Sequence, residues 1–233
     1  MSDQQSVIVT GGAGALGNAV VNHFLAQGDK VAVLDISDEV LNAVYPDPNE
    51  SLVLIACNLT ERESAVSAIR TAAEQLGGIN VLCNIAGGFL MGDTVHETSD
   101  ETWDFLFNLN TRSVLNTAAA VVPIMLAGGG GKVVNVAARA ALGGAALMGA
   151  YTASKAAVMR LTESMAQELR EQRINVNAVM PSLIDTPRNR ADMPDADFSR
   201  WVSPDDIAAV VGFLASDAAA AVHGACIPVD GLS

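Results

Sequence analysis

The chain has 233 residues, 50% of them apolar, with a formal net charge of -13 and an isoelectric point near 4.4. This length and composition suffice for one well-buried core, so we expect a single domain over residues 1–233. The acidic balance argues against nucleic acid and anionic membrane surfaces as partners, because both require clustered Lys and Arg.

The start of the chain, MSDQQS, is polar and acidic, and the longest apolar stretch is interrupted by Pro123. Neither resembles a signal peptide or a membrane span, so we expect a cytoplasmic protein. Cys57, Cys83 and Cys226 form no CxxC pair and fall in predicted strands, which favours buried structural thiols. The three histidines lack metal-ligand spacing, and we predict no metal site.

Short apolar runs alternate with segments of helical periodicity along the chain. The runs are SVIVT, KVAVLD, SLVLIAC, INVLCNIA, GKVVNVA, INVNAVM and ACIPV, and the helical segments cover 15–27, 61–76, 111–127, 153–170 and 204–216. Nearly continuous apolar strands are typical of a sheet covered on both faces, and the alternation predicts right-handed parallel crossovers. The predicted fold is α/β, a doubly wound parallel sheet of Rossmann type. The glycines at 128–131 are expected to end a helix.

A glycine-rich loop, TGGAGALG, joins the first predicted strand to the first helix. Gly12, Gly14 and Gly17 satisfy GxGxxG, in which glycine allows a tight turn and the helix N-terminus offers N–H groups to a pyrophosphate. The motif alone is weak, but its place between a strand and a helix favours a dinucleotide over an ordinary turn. Asp35 ends the second strand 18 residues after Gly17, where a carboxylate can accept hydrogen bonds from an adenosine ribose and repel a 2'-phosphate. NAD is therefore predicted over NADP, although a helix-capping Asp is the alternative.

Two later segments carry polar residues where apolar ones are expected. CNIAGG, residues 83–88, breaks an apolar run with small residues that would let the backbone approach a ribose or nicotinamide. Asn110 lies in the middle of a long helical stretch, where its side chain is unfavourable unless it holds a water or distorts the helix. Tyr151 and Lys155 in YTASK stand four residues apart, on one helix face, so the ammonium is expected to favour the phenolate and lower the pKa of Tyr151.

With these motifs, the sequence resembles the short-chain dehydrogenases/reductases over nearly its whole length. The glycine loop, NIAG, Asn110, YTASK, INVNAVMPSLIDTP and PVDG follow the family's order and spacing. The resemblance implies that Tyr151 is the general acid/base, that Lys155 lowers its pKa and binds the nicotinamide ribose, and that Asn110 supports a proton relay. It further implies these cofactor-binding residues: Gly11, Gly12, Gly14, Ala15, Leu16, Gly17, Asp35, Asn58, Leu59, Asn84, Ala86, Gly87, Tyr151, Lys155, Pro181, Ile184 and Thr186.

The sequence departs from the family pattern where a catalytic serine is expected, since Ala138 stands 13 residues before Tyr151 and Ala137 offers no hydroxyl either. Milder departures are Ala15 and Ser182 in place of glycines, and Asn58 in place of an Asp. Three explanations are open: loss of catalysis, leaving a nucleotide-binding sensor; replacement of the serine by Thr152 or Arg139; or a substrate that concentrates no charge on one oxygen.

The third explanation is supported by a resemblance to one branch of the family, the dihydropteridine reductases. It rests on GGAGALG, on AARAAL in place of the serine segment, and on DTPRNRADMPDADFSRW, residues 185–201, which predicts a small substrate lid near 182–203. That branch reduces a quinonoid dihydropterin with NADH. A ketone or 3-oxoacyl thioester reductase is the alternative function. The small residues of helices 111–127 and 153–170, together with the family resemblance, predict a homodimer or homotetramer.

Overall fold

The computed structural model describes residues 4–233, in which seven strands form one parallel sheet. The strands are β1 (Ser6–Thr10), β2 (Lys30–Asp35), β3 (Leu52–Ala56), β4 (Val81–Asn84), β5 (Gly131–Val136), β6 (Ile174–Pro181) and β7 (Cys226–Val229). Their order is β3-β2-β1-β4-β5-β6-β7. Each predicted apolar run contains one of these strands, and the predicted doubly wound sheet is confirmed.

Residues 4–233 form eight α-helices, most of which pack on the two faces of the sheet. They are α1 (Ala15–Ala26), α2 (Asp38–Val44), α3 (Arg62–Leu76), α4 (Asp100–Phe107), α5 (Ser113–Gly128), α6 (Gly149–Leu169), α7 (Pro187–Asp192) and α8 (Pro204–Ala215). Helices α1 and α8 pack together on one face, while α3, α5 and the end of α6 build the core on the other. The central strands are therefore buried on both sides, which explains why they lack alternating polar positions.

The helices differ from the sequence prediction in two respects. Helix α6 begins at Gly149, four residues before the predicted start, and its N-cap residue Met148 supplies no side-chain cap, so the sequence carries no start signal there. Helix α4 belongs to the long helical stretch in which Asn110 was placed, whereas α2 and α7 were not predicted because they are short. All three begin at a capping hydroxyl, from Ser37, Ser99 and Thr186 respectively. The predicted helix end at 128–131 is confirmed, with Gly129 in the left-handed region at φ +87°.

The strand order reverses between β1 and β4, and a crevice forms there at the carboxyl ends of the strands. The Thr10 hydroxyl accepts hydrogen bonds from the N–H groups of Ile85 (3.0 Å) and Ala86 (3.1 Å). The two strand ends are therefore fixed side by side, and the loops that follow them share the crevice.

The predicted lid, residues 182–203, leaves the end of β6 and returns to the sheet. Ile184 forms a parallel bridge with Val202, and between them lie α7 and a single helical turn, Phe198–Arg200. Arg190 binds the Asp185 carboxylate through two nitrogens and lies over the Phe198 ring. The expectation of a surface segment fails at the end of the lid, because Val202 is only 2% exposed and joins the core beside α8.

Candidate active site

The loop between β1 and α1 and the first turn of α1 lie so close to their neighbours that three glycines there leave no space for a side chain. A Cβ atom on Gly11, whose φ is +63°, would lie 2.7 Å from the Cα of Ala86, and one on Gly12 or Gly17 would overlap Val33 or the Gly11 carbonyl. Gly14 has room for a side chain, so its glycine is not required by space. Helix α1 has no side-chain cap, and the N–H groups of Ala15, Leu16 and Gly17 find no acceptor within residues 4–233. These groups fit a pyrophosphate.

Asp35 lies at the end of β2, beside this loop. Its carboxylate accepts hydrogen bonds from the N–H groups of Ala13 (3.0 Å) and Ile36 (2.8 Å), and each oxygen keeps a lone pair for a further donor. No Lys or Arg occurs between Ile36 and the end of α2. Ile36 is 61% exposed and offers an apolar surface next to the carboxylate, a feature that the glycine and acid motifs alone did not suggest.

The turn after β3 adjoins Asp35, whose carbonyl accepts from the Cys57 N–H at 2.7 Å. The Asn58 side chain, predicted to face the cofactor, is engaged within its own turn: it donates to Glu61 (2.9 Å) and accepts from Thr60 (3.1 Å). Leu59 is buried, and its carbonyl accepts from Asn116. The backbone of the turn is engaged as well, since the Asn58 N–H donates to the Ser64 hydroxyl at 3.0 Å and the Asn58 carbonyl accepts from the Glu61 N–H at 3.1 Å. The structure thus places this turn beside Asp35 but uses most of its polar groups within the protein.

Asn84, at the end of β4, lies in a buried polar network. Its carboxamide donates to Asn135 (2.8 Å) and accepts from Thr117 (2.9 Å), and Asn135 in turn donates to Thr162 (2.9 Å). Both functional atoms of Asn84 are therefore used to join β4 to β5 and α5. Asn135 and Thr162 were missed by the sequence reading because an isolated polar residue in an apolar run carries no positional signal.

Asn110 lies where the helix is distorted. This is one of the two explanations that the sequence offered for an Asn in the middle of a helix. A π-helical turn, Asn108–Arg112, joins α4 to α5, and Asn110 is 1% exposed at its centre. Its side chain accepts from the Gly88 N–H (2.8 Å) and donates to the Gly88 carbonyl (3.1 Å) and the Ser154 hydroxyl (3.0 Å). Ser154 donates to the Tyr151 carbonyl at 2.8 Å, so Asn110 is tied to the helix that carries Tyr151. Ser154 was not predicted, although it lies within YTASK.

Tyr151 and Lys155 lie on the first turns of α6, facing the crevice. The Lys155 ammonium is 5% exposed and donates to the Val136 carbonyl at 2.8 Å. A Cβ atom on Gly87 would lie 3.0 Å from both the Lys155 Nζ and the Asn110 Oδ1, which explains the small residue there. The Phe89 ring meets the Tyr151 ring edge to face, with centroids 4.8 Å apart.

The ionisation of the pair departs from the sequence expectation. Burial raises the pKa of Tyr151 to about 12 and lowers the pKa of Lys155 to about 8, because each charged form loses hydration. The shift of the Tyr151 pKa is therefore opposite in direction to the lowering that its spacing from Lys155 predicted. Desolvation outweighs the attraction of Lys155, whose ammonium is directed to the Val136 carbonyl.

The surroundings of Ala138 lack the hydroxyl that the family pattern leads one to expect. Ala137 and Ala138 are 2% and 5% exposed. Of the two proposed replacements, Thr152 donates its hydroxyl to the carbonyls of Met148 and Gly149, and Arg139 pairs with Asp230 at 3.2 Å. The Thr152 hydroxyl is thus used at the start of its own helix, and Arg139 is directed to Asp230 through its Nε, so this geometry favours neither as the replacement.

The remaining predicted cofactor residues lie between β6 and the lid. Pro181 ends β6 and is buried, Ile184 forms the bridge to Val202, and the Thr186 hydroxyl caps α7 by accepting from the Asn189 N–H at 3.2 Å. They line the same end of the sheet as Tyr151. The residues at hand therefore fit a dinucleotide: N–H donors for its phosphates, a carboxylate for one ribose and an ammonium for the other.

A glycine-rich loop at the switch point, with a partly exposed Tyr151 and a buried Lys155 beside it, is the arrangement of one class of protein, the dinucleotide-dependent α/β oxidoreductases. The sequence profile of the short chain dehydrogenases matches residues 5–197. The chain is 35% identical over 243 residues to the 2-(R)-hydroxypropyl-CoM dehydrogenase of Xanthobacter autotrophicus, with 96% of each covered. It is 32% identical to the 3-oxoacyl-(acyl-carrier-protein) reductase of Thermotoga maritima, covering 96% of this chain and 95% of the relative.

The structure is similar to carveol dehydrogenase from Mycobacterium avium in complex with NAD, with a TM-score of 0.86 and 27% identity over 97% of this chain and 95% of the other. The protein therefore belongs to the short-chain dehydrogenase/reductase family. It is an oxidoreductase that acts on a small molecule, and its family uses NAD(H) or NADP(H).

Proposed function

We propose that the protein is an NADH-dependent reductase of a delocalised, pterin-like acceptor. The observation that carries this proposal is the environment of Ala138, where the expected hydroxyl is missing, the Thr152 hydroxyl is used at the start of its own helix and the Arg139 Nε is directed to Asp230. A carbonyl gathers negative charge on one oxygen during hydride transfer, and loss of one donor to that oxygen costs about 3 kcal/mol. A conjugated ring spreads the incoming charge over several nitrogens, so the missing donor matters less.

Tyr151 is the proposed general acid. Its raised pKa keeps the phenol protonated at neutral pH, which suits a group that gives a proton to a reduced acceptor. Bound nicotinamide would supply the hydride, and Lys155, held by the Val136 carbonyl, would bind its ribose. Asn110 would act by shaping the π-helical turn and by joining it to α6 through Ser154, since its side chain is already bound within the protein.

The preference for NADH is proposed on the basis of Asp35. Its carboxylate is held in place by two backbone N–H groups at the mouth of the loop and lacks a neighbouring cation in the following helix. A 2'-phosphate placed there would meet a negative charge. The two hydroxyls of an unphosphorylated ribose would instead find acceptors.

A ketone or 3-oxoacyl thioester reductase is the second candidate, favoured by the names of the relatives that match most of this chain. A nucleotide-binding sensor without catalysis is disfavoured, because Tyr151 and Lys155 are both present in the crevice and the relatives are named as enzymes.

The deciding experiment measures NADH oxidation with quinonoid dihydropterin beside a panel of ketones and 3-oxoacyl thioesters. We expect turnover of the pterin to exceed that of every carbonyl. The Tyr151→Phe variant should lose at least about a hundredfold in kcat while still binding NADH, as followed by its fluorescence. Faster turnover of a carbonyl would replace the pterin proposal with the second candidate, and undiminished turnover by the variant would remove Tyr151 from the mechanism.

We also propose a homodimer or homotetramer formed through α4, α5 and α6. The continuous helical stretch Asp100–Gly128 is long and apolar enough to cross a membrane, yet only 39% of its most apolar window is buried. Trp103, Leu115 and Leu126 are each more than 40% exposed on it. A second copy would cover such a surface. Light scattering should show an oligomer that Leu115→Glu weakens and Val44→Glu, on exposed α2, does not; a monomeric wild type would contradict the proposal.

A further inference from the structure

A cleft of about 240 Å³ lies on the substrate side of Tyr151. The loop after β4, the start of α4 and the loop before α6 form its walls, and its lining is half apolar, with Met91, Leu106, Leu147 and Met148 among the apolar residues. The N–H of Gly92 donates to the Leu147 carbonyl at 2.9 Å, so the two loops are joined across the cleft. The lid does not line it.

Asp93 is the charged residue of this lining. Within residues 4–233 its carboxylate makes no hydrogen bond and no ion pair, so both oxygens are free to accept from a ligand. The two other polar residues on this wall are Thr98 and Thr102. The Thr98 hydroxyl donates to the Thr94 carbonyl at 3.1 Å and so faces the cleft as an acceptor too.

Apart from Lys155, which is buried behind Tyr151 with its ammonium directed to the Val136 carbonyl, the segments around the cleft offer an anion little attraction. Residues 89–111 contain five carboxylates and no Lys or Arg, and the one basic residue of 137–151 is Arg139, which is paired with Asp230. The arginines of the lid are also engaged. Arg190 binds Asp185, Arg188 lies 3.8 Å from Asp192, and Arg200 donates to the Leu232 carbonyl.

From these observations we infer that Asp93 determines substrate specificity: it selects acceptors that carry an ammonium or several N–H donors and disfavours anionic ones. The inference rests on the proposed function, because it concerns the acceptor of the same hydride transfer. Asp93 is exposed at the rim of the cleft, so solvent screens part of its field, and it acts on a charged ligand through its position beside the bound acceptor. A pterin, with its amino group and ring N–H, belongs to the selected class, whereas a phosphate-bearing thioester does not.

The test uses three probes on one skeleton: 4-(aminomethyl)acetophenone, acetophenone and 4-acetylbenzoate. Their affinities are measured by titration calorimetry for the enzyme with NAD+ bound, because a ketone cannot accept a hydride from the oxidised cofactor and the probes are not consumed. We expect the ammonium probe to bind about tenfold more tightly than the carboxylate probe, with the neutral ketone between them. Asp93→Asn should bring the two charged probes within about twofold of each other, and Asp93→Lys should reverse their order.

Asp104→Asn provides the matched control. It also removes one negative charge, but Asp104 lies on α4 and is outside the lining of the cleft. It should leave the ratio of the two affinities unchanged. The inference is overturned if the wild type does not favour the ammonium probe, or if Asp93→Asn keeps the wild-type ratio. Failure of the proposed function is distinguishable, because it would appear as missing pterin turnover while the ratio of affinities persists.

Discussion

The Arg139 guanidinium lies 3.2 Å from the Asp230 carboxylate, which follows β7. This pair engages the one cation next to Ala138, and it does so through an acid of the PVDG segment, far away in the sequence. Thr152, the other residue considered as a replacement for the serine, donates its hydroxyl to the backbone at the start of α6. A serine introduced at Ala138 would restore the missing hydroxyl, and its effect on the turnover of each acceptor tests the proposed chemistry.

We predict that Ala138→Ser raises kcat/KM for ketones by at least about tenfold, because the new hydroxyl would donate to the oxygen on which charge develops. The effect on the pterin should be less than about twofold, since that acceptor has no single oxygen to stabilise. Steady-state rates with both acceptors at fixed NADH give the comparison.

Ala137→Ser is the control. Ala137 is also buried, but its backbone is bound to the sheet, where its N–H donates to the Val179 carbonyl. Its hydroxyl should give neither acceptor an advantage. An equal gain for ketone and pterin in Ala138→Ser would mean that the pterin also depends on one oxyanion donor.

The preference between cofactors should respond to Asp35. Asp35→Ser keeps an acceptor for the Ala13 N–H but removes the negative charge, so the ratio of kcat/KM for NADH to that for NADPH should fall by about tenfold or more. Asp38→Ser, in the first turn of α2, removes the same charge from a more exposed site and should change the ratio little. An unaltered ratio in Asp35→Ser would place the ribose elsewhere.

The buried Lys155 predicts a pH dependence of stability. Its pKa is about 8 in the folded protein and near 10.5 when exposed, so between these values the unfolded chain binds more protons and the free energy of unfolding rises with pH. Below about pH 8 the cost of the buried charge is fully present. Lys155→Met has no charge to bury, so its free energy of unfolding, relative to that of the wild type, is most favourable below about pH 8. This difference in the free energy of unfolding should shrink by on the order of 3 kcal/mol between pH 7 and 10.5.

Urea unfolding of the two proteins at several pH values measures this difference. Other groups, including Tyr151 and Cys57, also titrate in the alkaline range, but they are common to both proteins and largely cancel in the difference. Parallel stability curves would show that the ammonium is not desolvated in the folded state.

The fold was predictable from sequence because its strands are continuous apolar runs and its loops carry glycine where space is lacking. Gly11, Gly12 and Gly17 illustrate this, since their spacing in the sequence reflects backbone contacts that admit no side chain. The start of α6 was not predictable, because Met148 and Gly149 carry no capping signal.

Within the site, the residue types of Tyr151, Lys155 and Asn110 were evident from sequence, but their electrostatics were not. Spacing on a helix places an ammonium near a phenol, yet the pKa of each depends on how deeply the surrounding chain buries it. Partners such as Ser154 and Asp230 likewise depend on contacts between distant segments.

Asn84 provides the last prediction, because its contacts argue for a structural role where the sequence suggested a cofactor contact. Asn84→Ala leaves Asn135 and Thr117 without their buried partner and should destabilise the protein by about 2 kcal/mol, measured by urea unfolding. The affinity for NADH should change by less than about threefold, because both functional atoms of the carboxamide already bind within the protein. Thr117→Val, which removes one bond of the same network, should lower stability less and leave NADH binding intact. Weak NADH binding by Asn84→Ala at undiminished stability would instead assign the carboxamide to the cofactor.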